Sequence, residues 1–354
     1  MQTFRVIGLM SGTSLDGLDI CYVEFTQKGK KWTFRTRAGT TINYKNEFKE
    51  QLKNARSYTA EQLAELHVNF GKFMGTEVKK FMAKNKLKVD LISSHGHTIF
   101  HQPEKGITVQ IGSLNEIYAA TKIATVGDFR TLDVAMGGQG APLVPIGDQL
   151  LFNEFDNCLN LGGIANVSFQ QKAKRLAFDI CPVNIVLNSL SEKLGKSYDK
   201  GGVLAAKGKV NKSLLLQLHQ LSFNSLKAPK SLGIEYIEKH YFPLIEKSKL
   251  SIEDKLCTFC EYIAQQIVQN LKKGKVLVTG GGAKNTFLIK ALQRNYEGKV
   301  VVPSLEVIDF KEAIIFAFLG VLRILNLPNC LSSVTGAKHD SSSGVLIGMF
   351  DYKK

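Results

Sequence analysis

The sequence is poor in cysteine, with six in 354 residues, and these six are scattered along the chain. A disulfide framework would need denser, paired cysteines, so this distribution favours a reducing compartment. Only Cys257 and Cys260 form a C-x-x-C pair, and no second pair accompanies them. Because a closed zinc site needs four ligands, and the flanking residues have the pattern of a continuous helix, we expect buried helix cysteines there.

Long apolar runs are also missing. No stretch reaches the roughly 20 apolar residues that cross a bilayer. The first residues, Met-Gln-Thr-Phe-Arg-Val-Ile-Gly, enter a strand-like segment without the apolar core of a secretory leader. We expect a soluble, cytoplasmic protein with no membrane partner.

Negative charge is scarce, because 31 acidic residues face 46 basic ones and the net charge is +15. A basic protein is attracted to phosphates, which raises the possibility of nucleic-acid binding. The lysines are nevertheless spread through helical segments such as residues 79–88, without a compact basic block or interleaved aromatic side chains. We expect a solvated basic surface that modestly steers anionic substrates, and no nucleic-acid partner.

The length of the chain exceeds that of a single hydrophobic core, so two domains are expected. Strands and helices alternate, and a strand pair with a glycine-rich turn opens each half, which predicts an α/β protein with sheets covered on both faces. We place the domains at residues 1–145 and 146–354, with the C-terminal helix free to pack back on the first. The pattern predicts strands at 4–10, 20–26, 89–94, 158–161 and 275–279, and helices at 60–84, 184–194 and from 286.

Three glycine-rich loops, at residues 11–19, 162–166 and 280–285, each follow an apolar strand. Glycine lets backbone N–H groups approach phosphate oxygens with no Cβ in between. Alone, the first loop fits a polar hairpin turn equally well, and the third fits a tight strand-to-helix connection. Together they favour a nucleotide held in a cleft between two domains. The expected phosphate-contacting residues are Gly12, Thr13, Ser14, Leu15, Asp16, Gly17, Leu18, Asp19, Gly162, Gly163, Asn166, Gly280, Gly281 and Gly282.

Four carboxylates stand where chemistry is plausible. Asp16 and Asp19 in the first loop could hold a hydrated Mg²⁺. Asp179 ends an apolar segment just before a turn, where partial burial would make it a good general base, although an isolated aspartate there is more often a local cap. Glu312 begins an apolar helix and either complements the helix dipole or faces the cleft.

The segment Gly127-Asp-Phe-Arg130, followed by Gly137-Gly-Gln-Gly-Ala-Pro142, combines a cation, acids and an amide in flexible backbone. Arg130 can bind a ligand carboxylate with two hydrogen bonds, and an internal salt bridge to Asp128 or Asp133 is comparably plausible. Histidines 95, 97 and 101 cluster without further metal ligands, so we favour hydrogen-bonding roles for them.

Seven strings of residues, in this order and over nearly the whole chain, resemble the motifs of the anhydro-N-acetylmuramic acid kinase family. They are Gly8-Leu-Met-Ser-Gly-Thr-Ser-Leu-Asp-Gly-Leu-Asp19, Gly127-Asp-Phe-Arg130, Gly137-Gly-Gln-Gly-Ala-Pro-Leu-Val-Pro145, Asn160-Leu-Gly-Gly-Ile-Ala-Asn166, Lys230-Ser-Leu-Gly233, Gly280-Gly-Gly282 and Ser333-Val-Thr-Gly336.

The resemblance implies two related actin-like ATPase (sugar-kinase) domains that close on ATP. It also implies an unusual reaction, in which water opens the 1,6-anhydro ring of the sugar while ATP phosphorylates the freed 6-oxygen. Asp179 would activate the water, with Mg²⁺ and the first loop neutralising charge on the phosphates. The expected sugar-binding residues are Arg130, Asp128, Gln139, His97, Asn184 and Glu312. Cell-wall recycling would be the context.

Two departures from the family pattern stand out. After the aspartate the family commonly has Thr-Gly-Pro-Gly-Asn, whereas here Asp179 is followed by Ile-Cys-Pro-Val-Asn184, and His97 stands where glutamine is expected. These changes leave two alternatives open, a nucleotide-binding regulator that has lost the chemistry and a kinase for a different sugar. A homodimer is a reasonable default.

Overall fold

The computed structural model describes residues 1–12 and 14–350. The chain forms two compact units, one built from residues 1–151 together with those from 310 onward, the other from residues 152–309. The domain boundary at residue 145 stays a prediction.

The described residues contain twelve strands: β1 Gln2–Ser11, β2 Leu18–Lys28, β3 Lys31–Ile42, β4 Leu91–Gln102, β5 Ile107–Ile111, β6 Thr125–Gly127, β7 Asn157–Leu161, β8 Ile164–Gln171, β9 Lys174–Pro182, β10 Lys275–Thr279, β11 Lys299–Val301 and β12 Val345–Ile347. Their α-helices are α1 Asn46–Asn54, α2 Ala60–Asn85, α3 Leu114–Thr121, α4 Thr131–Ala135, α5 Val144–Leu151, α6 Asn184–Glu192, α7 Lys212–His219, α8 Ile234–Tyr236, α9 Phe242–Lys247, α10 Ile252–Asn270, α11 Thr286–Asn295, α12 Leu305–Ile324 and α13 Ser332–Thr335. None of these helices is both long enough and apolar enough to cross a membrane.

Each unit is built on one mixed sheet. The first has the strand order β12-β6-β4-β1-β2-β3, with β5 paired to β4, and the second has the order β11-β10-β7-β8-β9. In both, three consecutive strands form an antiparallel meander, and the first strand of the meander also pairs in parallel with a later strand, β1 with β4 and β7 with β10. The α/β class predicted from the sequence is confirmed.

Helices cover the first sheet on both faces. On one face α2, whose N-terminus is closed by a capping box between Thr59 and Gln62, buries Phe70 and Met74. On the other face α12 packs closely, because the Ser93 hydroxyl in β4 donates a hydrogen bond to the Phe316 carbonyl at 2.5 Å. In the second unit α10 lies in the core, with Cys257 and Cys260 buried in it as expected.

The predicted elements agree with the structure where periodicity is strong. The expected strand 275–279 is β10, and the expected helix 60–84 is α2. Two expected boundaries are wrong: the strand expected at 89–94 continues past residue 94, and the loop expected at 162–166 is shorter. β4 continues through His95 and Gly96. From Ser94 to His97 it advances three residues while β1 advances two, so β4 contains a β-bulge. Gly96 lies in this bulge and has a φ of 72°. The turn after β7 contains only residues 162 and 163, since β8 begins at Ile164.

A buried ion pair joins two helices of the first unit. The Lys311 ammonium of α12 lies 2.7 Å from the Asp148 carboxylate of α5, and the two side chains are only 7% and 5% exposed. Removing one partner of such a pair leaves an uncompensated charge in a region from which water is excluded.

We therefore expect Lys311→Met to lower the free energy of unfolding by about 3–5 kcal/mol. The exposed Lys72→Met change on α2 is the matched control and should shift stability by less than about 0.5 kcal/mol. Denaturant unfolding followed by circular dichroism measures both. Equal stability of the two variants would contradict the assigned role of the pair.

Candidate active site

The first glycine-rich loop connects β1 to β2, and Thr13, one of its predicted phosphate contacts, lies outside the described residues. Ser14 and Asp16 are exposed. Among the described residues, the atom nearest to a Cβ added at Gly12 would be the Ser14 hydroxyl oxygen at 3.6 Å, which leaves space there for an approaching anion. Leu15 has a positive φ of 58°, which shows how tightly the loop turns.

The loop ends at Gly17, where the chain enters β2. A Cβ at this position would lie 2.6 Å from the Ile42 carbonyl oxygen, so only glycine fits. Leu18 and Asp19 already belong to β2, and the Leu18 side chain is fully buried. Any contact of Leu18 with a phosphate would therefore be through its backbone.

Below this loop lies a buried polar cluster that the sequence did not reveal. Ser11, the last residue of β1, accepts a hydrogen bond from the Tyr44 hydroxyl at 2.6 Å, and its oxygen lies 2.8 Å from Nδ1 of His97. Burial lowers the pKa of His97, while its contact with Ser11 acts in the opposite direction. His97 thus supports the base of the loop as a neutral ring; its predicted sugar contact stays a prediction.

Asp16 and Asp19 flank Gly17 with hard oxygen donors. Asp19 accepts a hydrogen bond from the Thr41 hydroxyl at 2.6 Å, which fixes its carboxylate. The described residues contain no group of three or more His, Cys, Asp or Glu side chains that could enclose a metal. One or two carboxylates suit Mg²⁺, which keeps several waters and takes further ligands from phosphates.

Arg130 is held by neutral groups. Its Nε donates to Nε2 of His95 at 3.0 Å, and its Nη1 donates to the Gly140 carbonyl at 2.6 Å. The salt bridge considered for Arg130 is not formed within the described residues, since Asp128 accepts instead from the Thr131 hydroxyl. Burial lowers the pKa of Arg130, and the nearby charge of Glu312 partly offsets this.

The glycine-rich segment beside Arg130 is organised by Asp133, which is 1% exposed. The Asp133 carboxylate accepts from the Gly140 N–H and from the Thr335 hydroxyl, both at 2.7 Å. Gln139 donates its backbone N–H to the Thr335 carbonyl at 2.7 Å, and its side chain is exposed. Asp133 and Thr335 therefore fix the segment that contains the predicted site residue Gln139. They lie 202 positions apart, and no local signal could predict their pairing.

Glu312 lies in the first part of α12, and its side chain is open to solvent. Protein atoms around it nevertheless displace enough water to raise the pKa of the carboxyl, against the lowering effects of Arg130 and Lys311.

In the second unit, Asn160, Asn166 and Asp179 form a row across β7, β8 and β9. They are direct partners in the strand register, so their half-buried side chains lie on one face of the sheet. Beside this row the register shifts, because Ile180 is an extra residue opposite the Ala165–Asn166 step. Such a bulge re-aims the adjoining side chain and is frequent next to active sites.

Asp179 is anchored by a segment that follows it by about fifty residues. Its Oδ2 accepts from the Leu232 N–H at 2.9 Å and from the Ser231 hydroxyl at 3.2 Å, while its own N–H donates to the Lys230 carbonyl. Burial raises the pKa of the Asp179 carboxyl, and the two hydrogen bonds oppose that shift. The result is an oriented carboxylate with increased basicity.

The other two glycine-rich loops meet at Asn160. A Cβ at Gly280, where φ is 80°, would lie 2.6 Å from Oδ1 of Asn160, and one at Gly162 would lie 3.3 Å from its Nδ2. The loops follow β10 and β7, whose carboxyl ends are adjacent because the two strands are parallel. Phosphate or base groups can approach such an edge closely.

Asn184 begins α6 beside these loops. Its N–H donates to the Gly162 carbonyl at 3.2 Å and its side-chain amide to the Leu161 carbonyl at 3.2 Å. The neighbouring Val183 and Ile185 N–H groups both bond the Gly163 carbonyl. The start of α6 is therefore closed by the hairpin, and Gly281 and Gly282 pack against the Asn184 side chain.

A repeated α/β unit with glycine-rich loops at the carboxyl ends of its parallel strands is the architecture of the actin-like ATPases and sugar kinases, the predicted fold class. The chain matches the family model "Anhydro-N-acetylmuramic acid kinase" over residues 4–348, and it belongs to that family.

Curated relatives agree with this assignment. The anhydro-N-acetylmuramic acid kinase of Haemophilus influenzae is 36% identical over 381 residues, covering 98% of this chain and 98% of the relative. That of Shewanella oneidensis is 35% identical over 373 residues, covering 100% of both. Among solved structures, component A of the (R)-2-hydroxyglutaryl-CoA dehydratase of Acidaminococcus fermentans is 12% identical, with 90% of this chain and 97% of that chain covered and a TM-score of 0.45.

The two ends of the first loop should respond differently to an added methyl group. We expect Gly17→Ala to lower the free energy of unfolding by about 1–3 kcal/mol, because its Cβ would collide with the Ile42 backbone. Gly12→Ala is the matched control in open space and should change stability by less than about 0.5 kcal/mol. Thermal unfolding of the two purified variants tests this, and equal melting temperatures would contradict it.

Proposed function

We propose that this protein is an ATP-dependent kinase that hydrolytically opens the 1,6-anhydro ring of anhydro-N-acetylmuramic acid and phosphorylates the 6-oxygen. The product is N-acetylmuramic acid 6-phosphate, and the context is the recycling of cell-wall sugars. The observation that carries the proposal is Asp179, which is partly buried, aimed by a β-bulge and fixed by Ser231 and Leu232. Because the reaction consumes ATP, we place it in the cytoplasm. A homodimer stays a prediction.

The reaction balances with one base and one phosphoryl donor. Asp179 takes a proton from water as the water oxygen bonds to the anomeric carbon, and the bond between that carbon and the 6-oxygen breaks. The 6-oxygen then bonds to the γ-phosphorus of ATP, and the bond from that phosphorus to the bridging oxygen of ADP breaks. The proton on Asp179 returns to solvent after product release.

The remaining residues bind and orient the two substrates in this scheme. Backbone groups of residues 12–17 and 280–282, with Gly162, Gly163 and Asn166, contact the nucleotide. This assignment is supported by the open space beside Gly12 and Gly281, where an added Cβ would meet no described atom closer than 3.6 Å. Mg²⁺ held by Asp16 and Asp19 would neutralise phosphate charge. Arg130 binds the lactyl carboxylate, which distinguishes this sugar from ordinary hexoses. The sugar's other polar groups contact Asp128, Gln139, His97, Asn184 and Glu312.

Residues 180–183, which differ from the family pattern, could affect catalysis by Asp179. Ile180, Cys181 and Val183 are fully buried, and β9 continues through Pro182. The variant segment is therefore a packed part of the sheet and leaves the carboxylate and its two donors in place. This arrangement favours an active enzyme over a regulator without catalytic function.

Replacing the base should stop the chemistry and leave nucleotide binding intact. We expect Asp179→Asn to lower kcat by about 10²–10⁴-fold, because the amide cannot accept the proton from water. The Kd for ATP should stay within about twofold. Glu192→Gln on the exposed face of α6 is the control. ADP release and mass spectrometry of the sugar measure turnover; an undiminished rate in Asp179→Asn would exclude this residue as the base.

The pH profile offers a second test. The base must be ionised, so activity falls as the pH drops through the pKa of Asp179, which burial raises. Ser231 donates a hydrogen bond to the ionised form, so Ser231→Ala should raise this pKa further and move the acidic limb of kcat/KM to higher pH. Ser225→Ala, whose hydroxyl bonds the Ser222 carbonyl instead, should leave the limb unchanged. A shift to lower pH would contradict the assignment.

A further inference from the structure

Arg130 is a cation whose hydrogen-bond partners in the described part of the chain are all uncharged. Its Nε bonds His95 and its Nη1 bonds the Gly140 carbonyl, and no ion pair joins it to a carboxylate of residues 1–12 or 14–350. A guanidinium has five N–H groups, so each of Nη1 and Nη2 keeps at least one for a ligand. The edge formed by Nη1 and Nη2 matches the two oxygens of a carboxylate.

His95 fixes which edge of Arg130 stays available. Its Nδ1 lies 2.9 Å from the Gly96 carbonyl oxygen, to which it donates, so its Nε2 carries the lone pair that accepts from Arg130. The ring is 5% exposed and packs on Phe316 with 4.5 Å between ring centroids. Burial and the adjacent Arg130 lower the pKa of His95, so the ring stays neutral and remains an acceptor.

The second anchor of Arg130 is also fixed. Gly140 offers its carbonyl to Arg130 and its N–H to Asp133, whose other oxygen accepts from Thr335. Arg130 is therefore held on two sides, from β4 through His95 and from the glycine-rich segment through Gly140. Neither group that accepts a hydrogen bond from Arg130 is itself charged, and the Asp133 carboxylate acts on it only from beyond Gly140.

We infer that His95 is a positioning residue that sets the preference for a carboxylate-bearing sugar, by occupying Nε of Arg130 and keeping the Nη1–Nη2 edge free. This inference rests on the proposed function and adds to it the residue that determines specificity. An alternative occupant of the free edge is Glu312, whose charge acts on Arg130 most strongly. In that case Arg130 would serve the structure alone and would not distinguish between sugars.

The test compares two sugars that differ only in the lactyl ether. 1,6-Anhydro-N-acetylmuramic acid carries the carboxylate, and 1,6-anhydro-N-acetylglucosamine has the same ring and acetamido group without it. Calorimetry with a non-hydrolysable ATP analogue gives the Kd of each sugar for wild type, His95→Leu and His95→Gln. Steady-state kinetics with the first sugar gives KM and kcat separately.

We expect His95→Leu to weaken binding of the carboxylate sugar by about 10-fold or more, the scale of a hydrogen bond to a charged group. KM should rise accordingly with kcat nearly unchanged. Affinity for the neutral sugar should stay within about twofold, so the preference collapses. His95→Gln should keep most of it, because its amide oxygen can still accept from Arg130.

A preference that survives in His95→Leu, or an equal loss for both sugars, would overturn the inference. If His95→Leu fails to fold, as judged by its melting temperature, His95→Asn replaces it, because its amide is one methylene too short to reach Arg130 while His95→Gln spans the gap. Turnover by the wild type distinguishes a failure of the proposed function from a failure of the role inferred for His95. Absence of turnover contradicts the proposed function, whereas an active wild type with an unaltered variant contradicts only the role of His95.

Discussion

Two parallel strand pairs, β1–β4 and β7–β10, bring the glycine-rich loops and the residues beneath them together. Strands that run parallel end at the same edge of their sheet, so the segments that follow them are neighbours even when they are far apart in sequence. In the second unit this brings Gly162 and Gly280 to the two sides of Asn160. In the first unit it places His97 under the end of β1. The antiparallel pairing of β7, β8 and β9 then aligns Asn160 and Asn166 with Asp179.

The two units present different electrostatics at these edges. The second offers a carboxylate whose ionised form is opposed by burial and supported by Ser231 and Leu232. The first offers the Arg130 guanidinium, which donates to two neutral neighbours and forms no ion pair with the described residues. An enclosed charge without a counter-ion is unfavourable for folding, which is why such groups concentrate at functional sites.

Much of this arrangement could be predicted from local patterns. Apolar runs located β10, helical spacing located α2, and glycine located the turns, because each of these signals depends on residues close together in the chain. Strand pairing and long-range hydrogen bonds were harder to predict. His95 and Gly96 have the composition of a loop, yet β1 draws them into β4 as a bulge. The donors to Asp179 and the clamp between Asp133 and Thr335 join residues 52 or more positions apart, and no periodicity records them.

The buried sequence that follows Asp179 has a consequence for catalysis. At the two positions where the resemblance implied glycine, this chain has Cys181 and Val183, whose side chains are fully enclosed by the core. Glycine gives a backbone many conformations in the free enzyme, and ordering it for each reaction costs entropy. In this protein the backbone that follows Asp179 is ordered once, when the second unit folds. The ordering of this segment should accordingly contribute little to the activation entropy of the chemical step.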